Sequence, residues 1–156
     1  MRTPLKPLIA FLVFASSVTA WGETLPFVKG TFTAMQQEYS GQKIIISFWS
    51  ETCSACMKEM GYWSTLKSEN PELGILMVST DSIENKKAIE SILADRKLAE
   101  LPSWAFADDF LERLYYDVDP SWQGELPLTF LVNEQGITEK IMGLVNHEKI
   151  STWVKK

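Results

Sequence analysis

The sequence has few residues of the kinds that bind metals or cross-link a small fold: two cysteines and one histidine in 156 residues. Two cysteines allow a single disulfide, which excludes a disulfide-rich scaffold. A tetrahedral zinc site needs four ligands, and Cys53, Cys56 and His147 supply three unless carboxylates join them. No histidine directly follows the cysteine pair, so the pattern of covalent haem attachment is missing.

Basic side chains are also in deficit. The chain has 15 lysines and arginines against 20 aspartates and glutamates, a formal net charge of −5. This balance disfavours nucleic acid or an anionic membrane surface as a partner. The length is that of one domain, and a hydrophobic fraction of 46% is enough for a packed core.

The apolar run near the N-terminus, Leu8–Ala15, is shorter than the about 20 residues that a membrane-spanning helix needs. Two basic residues precede it, and small residues that suit a cleavage site follow it. We therefore expect residues 1–20 to be a signal peptide cleaved after Ala20, with residues 21–156 forming one domain. An uncleaved N-terminal anchor is the alternative. Export to the periplasm would place the cysteines where disulfides persist.

Both cysteines lie at the junction of a predicted strand and a predicted helix. Ile44–Trp49 is a β-branched apolar run, typical of a strand buried on both faces. From Cys53 to Leu66, apolar residues recur in steps of three and four, which predicts an amphipathic helix. The first backbone N–H groups of a helix have no intrahelical partner, and its dipole is positive there. A thiolate at Cys53 would therefore be stabilised, and we expect the pKa of its thiol to be lowered.

This arrangement predicts a reversible dithiol/disulfide. Cys56 lies one turn further into the helix and is expected to attack a mixed disulfide formed at Cys53. A purely structural bridge is the weaker interpretation, because the loop that it closes is too short to restrict the unfolded chain much.

The rest of the chain predicts a β-α-β-α order, then a hairpin and a last helix. We expect Thr31, Asp81 (with Glu84) and Asn146 to cap helices, and Asp109 (with Glu112) to open a short one. Further strands are expected over the following ranges: Leu25–Val28, Gly74–Thr80, Leu128–Val132 and Ile137–Met142. Residues 101–107 are ambiguous.

The motif Phe-Trp-x-x-x-Cys-x-x-Cys at a helix start, together with Leu126-Pro127 opening a later strand, resembles the thioredoxin fold. Lys-Glu-Met after the cysteines, and the run Leu-Pro-Leu-Thr-Phe-Leu-Val-Asn-Glu-Gln-Gly, resemble its TlpA/ResA-type branch of exported thiol–disulfide oxidoreductases. The resemblance covers nearly all of residues 21–156. It implies an α/β fold in which helices flank a central mixed sheet, with a short insertion before the strand that follows Pro127.

The resemblance also implies roles for four residues. Cys53 would attack the substrate disulfide and Cys56 would resolve the intermediate. Pro127 would be a cis-proline beside the disulfide, and Leu126 would offer backbone hydrogen bonds to an extended segment of the partner. A plain trans proline at a strand start is the alternative for Pro127. The implied partners are protein thiols and disulfides, with electrons from a membrane thiol carrier of the DsbD kind and no cofactor beyond the cysteine pair.

Two residues depart from the family pattern. Thr52 stands where tryptophan is common, which makes the rim of the site less aromatic. Ser47 stands where thioredoxin has a buried acid and this branch often has asparagine. Since serine is a poor proton acceptor near neutral pH, the proton of Cys56 must go to another group or to water.

Three carboxylates flank the motifs and are candidate modulators: Glu51, Glu59 and Glu125. We expect each of them to be a solvated surface charge, because acidic side chains are mostly exposed. Carboxylates close to Cys53 would raise the pKa of its thiol and oppose the helix dipole.

Two other functions remain open at this point. The first is a Cu(I) carrier that uses Cys53, Cys56 and either Met57 or Met60, since soft ligands select that ion. The apolar positions of both methionines on the predicted helix favour a core role instead. The second is a thioredoxin-like protein that oxidises or isomerises disulfides.

Overall fold

A six-stranded mixed sheet runs through the part of the chain that the computed structural model describes, residues 22–156. The predicted signal segment, residues 1–20, lies outside the described residues. Within them, no helix has both the length and the apolar character needed to cross a membrane.

The elements alternate between strands and helices over most of the chain. The strands are β1 (Leu25–Phe27), β2 (Ile44–Trp49), β3 (Gly74–Ser82), β4 (Ser103–Phe106), β5 (Leu128–Val132) and β6 (Thr138–Met142). The α-helices are α1 (Thr31–Glu38), α2 (Ser54–Glu69), α3 (Lys86–Asp95), α4 (Leu111–Val118) and α5 (His147–Lys155), and a 3-10 turn (Ile83–Asn85) precedes α3.

Strand β2 lies inside the sheet, whose order is β1-β4-β3-β2-β5-β6. It pairs in parallel with β3 and antiparallel with β5, and β6 closes a hairpin with β5. All six residues of β2 are buried, as the apolar run predicts. The thioredoxin-like α/β arrangement that the resemblance implied is confirmed, with helices on both faces of a mixed sheet.

The two faces of β2 contribute to two separate core clusters. Ile45 and Trp49 face α2, α3 and α5 in a cluster that contains Cys56, here called the Cys56 cluster. Ile46 and Phe48 face α1 and α4 in an aromatic-rich second cluster. Because side chains alternate along a strand, one short segment joins both cores. Burial on both sides therefore fixes the position of the strand end at which the cysteines follow.

The predicted insertion before Pro127 consists of β4 and α4, and it adds a strand inside the sheet. Strand β4 pairs in parallel with both β3 and β1, so β1 becomes the edge strand. Phe106 stacks on Phe27 of β1 with ring centroids 5.1 Å apart. Within the ambiguous segment 101–107, Ser103–Phe106 thus forms a buried strand.

The prediction for Asp81 is wrong. Strand β3 continues through Ser82, and the hydroxyl of Ser82 accepts the Glu84 N–H at the start of the 3-10 turn. Helix α3 begins after that turn, at Lys86. The Asp81 carboxylate makes contacts elsewhere, at the end of β2.

Two other predicted helix starts also differ from the structure. Gly30 is the N-cap of α1, with a φ of 90°, and the Thr31 hydroxyl accepts a backbone N–H from the preceding segment. At α4, Asp108 rather than Asp109 accepts the Phe110 N–H. Neither helix therefore has a side-chain hydrogen bond at its N-cap, and both oxygens serve the turn that precedes the helix.

The C-terminal hairpin and the last helix are as predicted. Gly136 adopts a φ of 75° in the turn between β5 and β6, where an L side chain is disfavoured. The Asn146 side chain accepts the Lys149 N–H at 2.9 Å and caps α5.

Two glycines provide a test of this packing. Gly61 lies inside α2, and a Cβ added there has no neighbour within 4 Å. Gly61→Ala should raise the free energy of unfolding by about 0.5–1 kcal/mol, because alanine loses less backbone entropy in a helix. Urea denaturation measures the change.

Gly74 at the start of β3 is the matched control. A Cβ there would lie 2.7 Å from Ile44 Cγ2, so Gly74→Ala should lower the free energy of unfolding by about 1–3 kcal/mol. Equal effects of the two alanines would contradict the packing described for these strands and α2.

Candidate active site

Cys53 is the N-cap residue of α2. The chain leaves β2 at Trp49 and turns through three residues, and the Cys53 N–H donates to the Ser50 carbonyl at 3.1 Å. The Cys56 N–H in turn donates to Cys53 Sγ at 3.1 Å. The sulfur thus occupies the place of a capping oxygen and accepts one of the free N–H groups of the helix.

Cys53 and Cys56 form a disulfide, with Cα atoms 5.2 Å apart. The two residues differ in exposure: Cys53 is partly exposed, whereas Cys56 is 2% exposed and packs in its cluster with Met60 and Trp63. After reduction, an external disulfide therefore has access to Cys53 first. Thr52 beside it is exposed, as expected for a residue at the rim.

The Leu126–Pro127 peptide bond is cis, the conformation that the resemblance implied, so the trans alternative is wrong. The Pro127 carbonyl accepts the Gly143 N–H at 2.8 Å. Leu126 is partly buried and packs against the Cys56 cluster, as Cys53 does. The cis-proline loop and the disulfide thus border the same core.

The segment leading to Pro127 is held against β6. Lys140 Nζ donates to Asp119 Oδ2 at 2.9 Å and to Ser121 Oγ at 2.7 Å. Hydrogen bonds from Ser121 and Lys140 lower the pKa of Asp119 to about 2. The Trp122 indole N–H donates to the Glu125 carbonyl at 2.8 Å. These contacts fix the approach of the chain to the cis peptide.

Glu59 is not the solvated charge that its residue type suggests. It is 3% exposed, three residues after Cys56 on α2, and its Oε1 accepts the Val145 N–H at 2.8 Å. Burial raises the pKa of the Glu59 carboxyl, and hydrogen bonding from the Val145 backbone and the Trp63 side chain offsets part of the rise. This is a carboxyl whose environment favours holding a proton.

The Glu59 hydrogen bond also links the two halves of the site. Val145 lies in the connection from β6 to α5, two residues after Gly143, whose N–H donates to Pro127. Contacts therefore run from the helix that carries the cysteines to the cis-proline loop. The connection from β6 to α5 thus contacts both halves of the site.

The other two flanking carboxylates are exposed, as predicted. The pKa of the Glu125 carboxyl is lowered by hydrogen bonds from two backbone N–H groups, its own and that of Gln123. Glu51 is exposed, and its backbone N–H donates to Asp81 Oδ2 at 2.8 Å.

Ser47 lies on the face of the sheet that packs against α2, the helix that carries the cysteines. It is 2% exposed on β2 and pairs with Thr129 of β5 in the antiparallel register. Alternation along β2 places it between Ile45 and Trp49, on the face of the Cys56 cluster. The Thr129 hydroxyl is buried without a hydrogen-bond partner among the described residues. The two side chains opposite each other are hydroxyls, so this pair supplies no carboxylate.

The two methionines of the Cu(I) alternative lie in the Cys56 cluster or against it. Among residues 22–156, no three His, Cys, Asp or Glu side chains come together in a way that could hold a metal ion. Met60 is 1% exposed within the core, and Met57 packs against the same cluster. His147 stacks on the Tyr62 ring, with centroids 3.7 Å apart.

Sequence reasoning missed one residue of the site, Asp81. The parallel pairing of β2 and β3 could have revealed it, because the carboxyl ends of parallel strands meet at the same edge of a sheet and Asp81 lies at that end of β3.

No protein-family model matches the chain. Among curated proteins, the thiol–disulfide oxidoreductase ResA of Bacillus cereus is 26% identical over 123 residues, covering 77% of this chain and 66% of ResA. The sporulation thiol–disulfide oxidoreductase A of Bacillus subtilis is 25% identical over 120 residues, covering 74% of this chain and 68% of that protein. The chain thus spans about two thirds of the length of these relatives.

Solved structures show the same fold at lower identity. A secreted disulfide oxidoreductase of Mycobacterium tuberculosis superposes with a TM-score of 0.57 at 16% identity, covering 76% of this chain and 84% of that one. The thioredoxin domain of a Bacteroides vulgatus thiol–disulfide oxidoreductase gives a TM-score of 0.58 at 18% identity, covering 76% and 83%. The chain therefore has the thioredoxin fold, and its sequence is similar to those of the ResA-type thiol–disulfide oxidoreductases.

Proposed function

We propose that the protein is an exported thiol–disulfide oxidoreductase that reduces disulfides of other exported proteins through Cys53 and Cys56. One observation carries the proposal: a cysteine pair at a helix N-terminus in which Cys53 is accessible and Cys56 is buried. This asymmetry suits a two-step exchange, because the outer sulfur meets the substrate and the inner one meets only the outer sulfur.

In the first step, the Cys53 thiolate attacks one sulfur of the substrate disulfide. A Cys53–substrate disulfide forms, the substrate S–S bond breaks, and the second substrate sulfur leaves as a thiolate. In the second step, the Cys56 thiolate attacks Cys53 Sγ. The Cys53–Cys56 disulfide forms, and the first substrate sulfur leaves. Two electrons pass from the protein to the substrate, and each leaving thiolate takes up a proton.

Glu59 is the proposed acceptor for the proton of Cys56. It lies three residues further along α2, at a separation that places side chains on the same helix face. Its buried position and raised pKa suit proton transfer near neutral pH better than an exposed carboxylate does. Ser47 has a hydroxyl in the region where thioredoxin has an acid. The proton acceptor is therefore proposed to be a residue of α2 and not one of the sheet.

The cis-proline loop is the proposed docking site for the substrate. Leu126 is partly exposed before a strand start, and its backbone groups are the ones that would pair with an extended substrate segment. Leu144, the residue after Gly143, is 58% exposed and adds exposed apolar surface next to the Gly143 contact to Pro127.

The reducing direction and the location are part of the same proposal. The N-terminal sequence pattern supports export, and a solved structure of the same fold is a secreted disulfide oxidoreductase. A reductase outside the cytoplasm needs an electron supply, for which we propose a membrane thiol carrier of the DsbD kind.

The reduction potential of the pair tests the direction. Equilibration of the protein with glutathione redox buffers, read by mass shift or by the fluorescence of Trp49, should give a value nearer to about −270 mV than to about −120 mV. A value at the oxidising end would contradict the reductase role, and a pair that does not equilibrate with glutathione at all would contradict thiol exchange itself.

The proposed role of Glu59 predicts the behaviour of Glu59→Gln. Glutamine keeps an acceptor for the Val145 N–H but takes no proton, so the release of substrate from the mixed disulfide at pH 7 should slow by about 100-fold, the lower end of the usual range of general acid–base catalysis. Rapid-quench mass spectrometry of the intermediate measures this rate. Glu51→Gln and Glu125→Gln are matched controls, since both side chains are exposed, and should release substrate at the wild-type rate.

Stability provides an independent check on the state of Glu59. Its folded-state pKa is raised above the ordinary value of 4.5, so its contribution to stability is greatest at low pH and is lost as pH rises through the folded-state pKa. The Tm of Glu59→Gln relative to wild type should therefore be higher at pH 8 than at pH 4. A Tm difference that does not change with pH would show that Glu59 does not titrate as proposed.

A further inference from the structure

Strand β3 extends beyond the end of β2 and carries an irregularity there. The parallel pairing of the two strands ends at Trp49 and Ser79, while β3 continues to Ser82. The register of β3 with β4 shifts between Ser79 and Ser82. Such irregularities bend a strand and re-aim its side chains. Here the side chain of Asp81 is directed over the carboxyl end of β2.

The Asp81 carboxylate accepts three hydrogen bonds at that end. Its Oδ1 accepts the Ser50 hydroxyl at 2.8 Å. Its Oδ2 accepts the Glu51 N–H and the Ser79 hydroxyl, each at 2.8 Å. Hydrogen bonds to a charged acceptor are stronger than those between neutral groups. The carboxylate therefore ties the turn after β2 to the neighbouring strand.

The three residues that lead from Ser50 to Cys53 all have their backbone N–H groups bound. Glu51 donates to Asp81, Thr52 donates to Ser50 Oγ at 3.2 Å, and Cys53 donates to the Ser50 carbonyl at 3.1 Å. Two of the three acceptors belong to Ser50, whose hydroxyl itself donates to Asp81. Ser50 is 6% exposed, so water competes little for these bonds. The position of Cys53 thus depends on Ser50, and that of Ser50 on Asp81.

We propose that Asp81 is a positioning residue for Cys53: through Ser50 and Glu51 it fixes the turn that holds the Cys53 sulfur in place to accept the Cys56 N–H. This inference rests on the proposed function, because it concerns the same attacking sulfur. Asp81 itself does not touch the substrate. By holding the segment before the helix, Asp81 keeps the Cys53 thiolate within reach of the backbone N–H groups in the first turn of α2.

The geometric role can be separated from the effect of the Asp81 charge. If the turn loosens, the Cys53 thiolate loses its N–H donor and becomes less stable, so ionisation shifts to higher pH. Removal of a nearby negative charge has the opposite effect and shifts ionisation to lower pH. Ser50→Ala removes the hydroxyl contact to Asp81 and leaves both the charge and the Glu51 contact, whereas Asp81→Ala removes all three.

The test uses the full chain in a Cys56→Ala background, where Cys53 is the sole thiol. The rate of Cys53 alkylation by iodoacetamide is measured against pH for Asp81→Ala and Ser50→Ala. Both should shift the midpoint of the profile to higher pH and lower the rate at pH 7 at least threefold. Because the two residues act through one link, the double variant should be no slower than the slower single variant. Asp95→Ala, which removes an exposed carboxylate at the end of α3, should leave the profile unchanged.

Two results would overturn the proposal. A lower midpoint in Asp81→Ala with no change in Ser50→Ala would show that only the charge acts. Unchanged profiles in both variants would show that the turn holds Cys53 without this link. Thermal denaturation monitors folding, and Ser50→Ala alone decides the outcome if Asp81→Ala does not fold. Alkylation needs no protein substrate, so failure of the wild-type protein to reduce insulin would count against the proposed function and not against the role of Asp81.

Discussion

The hydrogen bond from the Cys56 N–H to Cys53 Sγ is the interaction on which the proposed chemistry depends. It requires that Cys53 sit at the N-cap of α2, which in turn requires that β2 end at a fixed place. Burial of β2 in two cores provides that fixed place. The N-terminal dipole of α2 then acts on a sulfur that is already aligned with a free N–H group. Burial of β2 therefore both stabilises the sheet and positions the reactive thiol.

Two carboxylates make contacts near this helix, and their surroundings suit different tasks. Asp81 receives three short hydrogen bonds from the turn and the adjacent strand, which suits a fixed acceptor that orders the backbone. Glu59 is buried with one backbone donor, which suits a group that gains and loses a proton. The same functional group therefore serves structure in one place and, we propose, proton transfer in the other.

Local patterns in the sequence were sufficient for much of the fold. The strand and helix around the cysteines, the hairpin with Gly136 and the cap at Asn146 each depend on residues that are neighbours in sequence, so their signals are readable there. The cis peptide at Pro127 came from the family resemblance, since spacing alone does not distinguish cis from trans.

Two of the errors, at Asp81 and Glu59, arose where a distant contact decided the outcome. Asp81 and Glu84 have the spacing of a capping box, but β3 pairs for longer than its apolar run indicates, and Asp81 serves the end of β2 instead. Glu59 was expected to be solvated because carboxylates are mostly exposed. Its helical spacing with Cys56 and Trp63 nevertheless placed it on the buried side of α2, where Val145 supplies a partner.

The central claim, that Cys53 attacks and Cys56 releases, is tested most directly by trapping the intermediate. Cys56→Ala mixed with insulin should form a lasting disulfide-linked adduct through Cys53, visible by non-reducing mass spectrometry, because the releasing thiol is gone. Cys53→Ala should form such an adduct much more slowly, because its remaining thiol, that of Cys56, is buried. An adduct formed faster through Cys56 than through Cys53, or none through Cys53, would contradict the account.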